Sequence, residues 1–188
     1  MTETELIRGL KNADEAAFRY LVETYKDRVY NTVISIVQNP EDAEDVTQEV
    51  FIQVYRSVGT FKGESKISTW LYRIATTRSL DLLRSRKSKK RFGFIQRLFG
   101  EGNEPVFEIP DYNHPGIALD RKENAARLFK AIRQLPENQK IAFTLHKMED
   151  LSYHEISEVM KTTVPAVESF LHRARLNLRK MLEKDIRG

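Results

Sequence analysis

The chain has no cysteine, so neither disulfides nor cysteine-ligated zinc can hold its fold. That absence fits a reducing cytoplasm, the compartment expected for the protein. No apolar run approaches membrane-spanning length, and the opening MTETELIRGL lacks the basic-then-apolar layout of a signal peptide. Histidines are few and scattered (His114, His146, His154 and His172), which argues against a catalytic or metal-binding set, and His146 is expected on a helix surface. Proline and glycine are scarce, 6 and 8 in 188 residues, and several of them gather between Phe92 and Pro115. What remains is 40% hydrophobic, enough for a core in one domain or in each of two small ones. The net charge of +4 is modest but segregated, acid-rich from Glu41 to Glu49 and base-rich from Lys62 to Arg91. Such segregation implies different partner surfaces.

Taken in order, Asn12 or Asp14 can cap a first helix, and Glu15 to Val37 reads as one long helix or two short ones. Its apolar stripe is Phe18, Leu21, Val22, Tyr25, Val29, Val33 and Ile36, and Asn39-Pro40 ends it. A second helix follows from about Glu41 to Ser57, with Ala43, Val46, Val50, Val54 and Val58 as its buried stripe. Asp42, Asp45 and Glu49 share a different face with Gln48 and Arg56. The helix dipole favours acids in a first turn, which accounts for Glu41 and Asp42 but not for Glu49. Two functional readings stand beside that one: a Mg²⁺ site of clustered carboxylates, or a docking face for a basic partner protein.

The stretch FKGESKISTWLYRIATTRSLDLLRSRKSKKR, Phe61 to Arg91, begins with a loop in which Gly63 allows a tight path. Ser68 or Thr69 is expected to cap the helix that follows. Leu71, Ile74, Ala75 and Leu82 recur at helical spacing. Arg73, Thr77, Arg84 and Lys87 fall on another face, and Arg86, Lys89, Lys90 and Arg91 extend the charge. Taken singly, Trp70 reads as a core residue. The coincidence of loop, aromatics (Phe61, Trp70, Tyr72) and basic helix reads as a nucleic-acid surface, with aromatic faces for bases and cations for phosphates. Between Phe92 and Pro115 the periodicity breaks, which reads as a linker carrying Glu101, Glu104, Glu108 and Asp111 and one helical turn around Phe94 to Phe99.

A second helical unit starts near Asp120, with Leu128, Phe129, Ile132 and Leu135 as a stripe and Pro136 at the next helix start. Ser152 and Glu155 have capping-box spacing, Lys161-Thr162-Thr163 is a turn, and Thr163 caps a last helix in which Pro165 sits in the first turn. That helix carries His172, Arg173, Arg175, Arg179 and Lys180. Two short helices, a tight turn and a basic second member read as a helix-turn-helix, whose second helix enters the major groove.

Two stretches, Asp42 to Lys87 and Leu135 to Leu182, closely resemble the extracytoplasmic-function (ECF) group of bacterial sigma factors. The resemblance implies an all-α protein of two small helical domains joined by a flexible linker, the C-terminal one a helix-turn-helix. It places region 2 at 1–90, the linker at 91–118 and region 4 at 119–188. It implies a non-enzymatic protein without cofactor or metal that binds RNA polymerase core and promoter DNA and is often held by an anti-sigma partner, frequently membrane-anchored. The runner-up is a helix-turn-helix regulator that binds DNA alone.

By the same resemblance, Asp42, Asp45, Gln48 and Glu49 dock on core polymerase. Phe61, Lys62, Gly63, Glu64, Ser65, Trp70, Arg73, Thr77, Arg84 and Lys87 melt and read the downstream (minus-ten) element. Glu168, Ser169, Phe170, His172 and Arg173, with Arg175 beside them, meet the upstream (minus-thirty-five) element. The linker threads toward the polymerase cleft, where its acids can mimic phosphates. Three positions depart from the common pattern: Glu168 and Phe170 where relatives often carry bases, and Thr77 where an Asn is common.

Overall fold

The computed structural model describes the backbone of residues 1–97 and 127–187 and the side chains of residues 1–86 and 127–183. Every regular element among them is helical: α1 (Glu3–Lys11), α2 (Glu15–Val37), α3 (Pro40–Ser57), a 3-10 turn at Val58–Thr60, α4 (Ile67–Arg97), α5 over 127–133, α6 (Glu137–Lys147), α7 (Tyr153–Met160) and α8 (Val164–Arg187). The all-α expectation therefore holds. α4 continues to Arg97, into the stretch expected as linker. The remaining linker residues, its acids among them, and the helix start near Asp120 lie outside the described residues.

Local chemistry sets most helix ends. Asp14 caps α2 by accepting from the Ala16 N–H at 2.8 Å. Gln38 closes α2 in the left-handed region, at φ 62°, and Asn39 then caps α3 by accepting from the Asp42 N–H at 2.9 Å, with Pro40 in the first turn. Ser152 and Glu155 form the expected capping box of α7. Lys161, at φ 51°, ends that helix, and the Thr163 hydroxyl accepts from the Ala166 N–H at 3.4 Å to start α8. α1, which sequence periodicity did not indicate, carries its own capping box at Thr2 and Glu5.

One start differs from expectation. α4 begins at Ile67, whose N–H donates to the Glu3 carboxylate of α1 at 2.6 Å. Ser68 and Thr69 therefore lie inside its first turn, and Thr69 is buried. A cap supplied by a remote helix has no local sequence signal.

The N-terminal lobe is α1 to α4 around Leu6, Leu21, Val33, Val50, Val54 and Leu71. Each such side chain contributes about 1.5–3 kcal/mol when fully buried. In the C-terminal lobe Ile141, Leu145, Ile156, Val159, Val167 and Leu171 join α6, α7 and α8, while Ala131, Ile132 and Leu135 seat α5 on Ala174 and Leu178.

The lobes share a seam. α2 packs on α6 and α4 on α7. Ile36 and Tyr72, from the N-terminal lobe, sit in the C-terminal core cluster, with Leu80 and Leu83 packed against it. That explains why the end of α2, Thr32 to Val37, is buried on every side whereas its earlier turns bury only one.

Candidate nucleic-acid and partner interfaces

Three surfaces carry the residues singled out in the sequence. On α3, burying Ala43, Val46, Val50 and Val54 turns Asp45, Gln48 and Glu49 to solvent on the opposite face. The exposed Ile52 and Tyr55 continue that helix, and Phe18 meets Tyr55 edge-on with ring centroids 5.3 Å apart. Asp42 stands apart from this group. It is half-buried and ion-paired with Arg86 of α4, so neither side chain is a free surface charge. The same pair corrects the reading of Arg86 as an extension of the basic surface, and it leaves Asp42 spoken for as a Mg²⁺ ligand.

The second surface is the loop and the start of α4. Phe61 is buried in the N-terminal core and packs on the half-buried Trp70, centroids 5.0 Å apart and planes 37° apart. Phe61 thus supports Trp70 from inside and offers no face for stacking on a base, contrary to the sequence expectation. Lys62, Gly63 and Glu64 are exposed and Ser65 is half-buried. Gly63 adopts φ 77°, a left-handed turn that favours glycine. Thr77 and Arg84 are exposed, Arg84 lying 3.4 Å from Asp81. The Lys87 side chain lies outside the described residues.

Arg73 behaves differently. Its guanidinium donates twice to the Glu158 carbonyl, at 3.2 and 2.9 Å, in the last turn of α7. A cation suits that end of a helix, where carbonyls lack partners. At the other end of α7, Lys66 pairs with the Glu155 carboxylate at 2.8 Å. That bond and the Ser152 backbone N–H lower the Glu155 pKa to about 2.

The third surface is the outer face of α8. Burial of Val167, Leu171, Ala174 and Leu178 leaves Glu168, His172, Arg173 and Arg175 exposed. Ser169 is half-buried, and the Arg175 guanidinium lies 3.5 Å from the Tyr153 hydroxyl. Phe170 is half-buried against the C-terminal core, so it anchors the helix more than it presents a ring to DNA. His146 also departs from the expected surface position. It is half-buried, its Nδ1 is 3.1 Å from the Leu151 carbonyl, and its ring meets Tyr153 edge-on.

Sequence reasoning missed the group at the seam. Glu149, 4% exposed, accepts from Arg28 Nε at 2.9 Å, Tyr72 Oη at 2.7 Å and Thr32 Oγ1 at 3.3 Å. Arg28 also donates to the Glu149 carbonyl at 3.1 Å and lies over the Tyr72 ring. Burial, then the adjoining Glu149, push the Tyr72 phenol far above its ordinary pKa, so it stays a donor. Burial opposes the Arg28 charge, yet Tyr72 and Glu149 still hold its pKa above the ordinary value. These partners come from opposite lobes and are far apart in the chain, so no short motif announces them.

Residues 21–89 match the family model "Sigma-70 region 2", and residues 125–178 match "Sigma-70, region 4". The RNA polymerase sigma-H factor of Pseudomonas aeruginosa is 34% identical over 98% of this chain and 96% of its own length. The ECF RNA polymerase sigma factor SigW of Bacillus subtilis is 33% identical over 94% of each, and the ECF sigma-E factor of Escherichia coli K12 is 31% identical over 93% and 91%. Among solved structures, CnrH in complex with the cytosolic domain of CnrY has the same fold, with a TM-score of 0.71 at 20% identity over 97% of this chain and 98% of that one. So does the sigma factor RpoE in complex with NepR from Bartonella quintana, with a TM-score of 0.69 at 20% identity over 88% and 96%. No helix among the described residues is long and apolar enough to cross a membrane. Near-full-length identity to named sigma factors, both regions in the right order and the shared fold converge: the chain belongs to the ECF group of the sigma-70 family, factors that bind RNA polymerase core and direct promoter-specific initiation of transcription.

Proposed function

We propose that the chain divides this work among its three surfaces, within the boundaries 1–90, 91–118 and 119–188. The carrying observation is the outward acidic face of α3, where Asp45, Gln48 and Glu49 are exposed above a fully apolar inner stripe. Nothing in helix packing calls for acids there, and a basic partner surface on core polymerase complements them. Asp42, paired with Arg86, stands outside this face.

The exposed loop at Lys62 to Ser65, with Trp70, Arg73, Thr77, Arg84 and Lys87, is the downstream-element surface. Extruding a base there costs a few kcal/mol, which a pocket and neighbouring cations must offset. The face of α8 at Glu168, Ser169, His172, Arg173 and Arg175 reads the upstream element. An exposed Glu168 can accept from the amino group of cytosine in the major groove, which makes it a base reader at this position. Sigma factors are non-enzymatic initiation factors, and this one works in the cytoplasm without catalysis of its own. CnrH and RpoE are each held by a partner protein, and a comparable anti-sigma partner fits this chain.

The test is co-purification with core polymerase. Asp45→Arg combined with Glu49→Lys is expected to abolish it while the circular dichroism and thermal transition stay those of the wild type. Unchanged co-purification would refute the docking face.

A further inference from the structure

The loop at Lys62 to Lys66 is anchored at its two ends. At the first, Phe61 is buried in the N-terminal core and its N–H donates to the Val58 carbonyl at 3.0 Å. At the second, Lys66 stands in the cap position of α4, its carbonyl accepting from the Trp70 N–H at 3.1 Å. A lysine side chain carries donors only, so it cannot satisfy the free N–H groups of a first turn. Ser65 does not do so either, since its hydroxyl turns to the Lys66 carbonyl at 3.5 Å. The acceptor comes instead from Glu3, whose carboxylate takes the Ile67 N–H at 2.6 Å. The dipole of α4 favours a negative group at this end as well.

Glu3 stands on a fixed support. The capping box of Thr2 and Glu5 holds the first turn of α1, and Leu6 and Leu10 are buried in the N-terminal core. α1 also packs on the 3-10 turn that leads into the loop. Gly9 lets α1 close on α2, because a Cβ there would stand 2.7 Å from the Ala17 Cβ. Glu3, Thr4 and Ile7 line one cleft together with Gly63, Ser65 and Thr69, so α1 flanks the loop as well as capping the helix after it. The dipole of α1 accounts for an acid in its own first turn. It does not account for a carboxylate that reaches across to the backbone of another helix.

We propose that Glu3 is a positioning residue for the reading of the downstream element: through the Ile67 N–H it ties α1 to the start of α4 and sets where the loop and Trp70 stand. Trp70 follows within the same first turn, so a shift at Ile67 carries to its ring. The inference rests on the assignment of the loop and Trp70 to the downstream element. Its test therefore includes a measurement without DNA and a Trp70 control.

Hydrogen exchange in the free chain reads the bond itself, and Glu3→Ala is expected to lose protection at the Ile67 N–H. Promoter opening is then followed by permanganate footprint with core polymerase and the full chain. Glu3→Ala should open promoters about fivefold more slowly, the loss that one side-chain cap represents. Co-purification with core should be unchanged. Glu3→Gln, whose amide oxygen still accepts, should retain more of the opening than Glu3→Ala. Lys66→Ser separates a cap from a tether, because serine can cap α4 locally without reaching α1. In the Lys66→Ser background, Glu3→Ala should cost less in thermal midpoint yet still slow opening about fivefold.

Unchanged protection at Ile67, or a Glu3→Gln chain no better than Glu3→Ala, would overturn the bond as the cause. Loss of core binding in step with opening would make Glu3 a general fold residue and overturn the positioning role. So would an opening defect that the local cap of Lys66→Ser removes. Normal opening by Glu3→Ala where Trp70→Ala is impaired would overturn the inference alone. Normal opening by both would overturn the downstream assignment and the inference with it.

Discussion

α8 and α4 are the two helices proposed to meet promoter DNA, and they stand differently in the free chain. α8 buries one stripe, Val167, Leu171, Ala174 and Leu178, and leaves its opposite face to solvent. α4 is covered from two directions. Leu71 and Ala75 enter its own lobe, while Tyr72, Leu80 and Leu83 meet the other. On α8 the exposed Arg175 and Arg179 are held only by partners of their own lobe, Tyr153 and Glu183, whereas Arg73 of α4 donates across the seam to the Glu158 carbonyl of α7. A helix covered on one side displays its binding residues by default. One covered on two sides keeps a narrower exposed face, here Thr77 and Arg84 beside the loop at Lys62 to Glu64.

The largest effect that can probe this contrast is on the buried side of α8. Leu171→Ala should cost about 2–5 kcal/mol in chemical denaturation, whereas Arg173→Ala two positions away should leave stability within about 0.5 kcal/mol. Similar losses for both would mean that the exposed face of α8 is structural. Next comes Trp70→Ala, expected to lower stability by about 2–3 kcal/mol through the lost packing on Phe61. It should impair promoter opening more than core binding, as a permanganate footprint and a pull-down would report. Equal loss of both would leave Trp70 with a packing role only. Third, Arg173→Ala should weaken binding to upstream-element duplex by about 1–3 kcal/mol if it reads a base, with relaxed preference at one position. A uniform loss across sequences, with a shallower salt dependence, would make it a phosphate contact instead.

The smallest effect concerns pH. The Glu155 pKa falls from the usual 4.5 to about 2, first through Lys66. A depressed carboxylate stabilises the folded chain fully above pH 4.5 and loses that contribution as pH falls toward 2. The difference in thermal midpoint between wild type and Lys66→Ala should therefore be constant from pH 5 to 7 and shrink below pH 4. A constant difference down to pH 2 would mean that Lys66 acts through something other than Glu155.

Much of this was legible in the sequence because it rests on local rules. Asp14, Ser152 with Glu155, and Thr163 cap the helices that their spacing predicts, and Asn39-Pro40 marks the end of α2. The α3 stripe turned Asp45, Gln48 and Glu49 outward, as period 3.6 requires. What escaped depends on distant partners. Glu3 starts α4 from another helix, Arg86 draws Asp42 out of the acidic face, and Glu149 reaches across the seam to Arg28 and Tyr72. Phe61 beside Trp70 was read as part of a stacking surface, but burial put it in the core. α1 was the exception among the misses, since Thr2 and Glu5 were a local signal lying in plain view.

The most direct measurement is run-off transcription with purified core RNA polymerase and a library of promoter fragments, with and without this protein. Transcripts that depend on the protein and start at fixed sites, sharing an upstream and a downstream element, are the predicted result. Tight binding to core with no start-site selection anywhere in the library would contradict the promoter-reading roles given to α4 and α8.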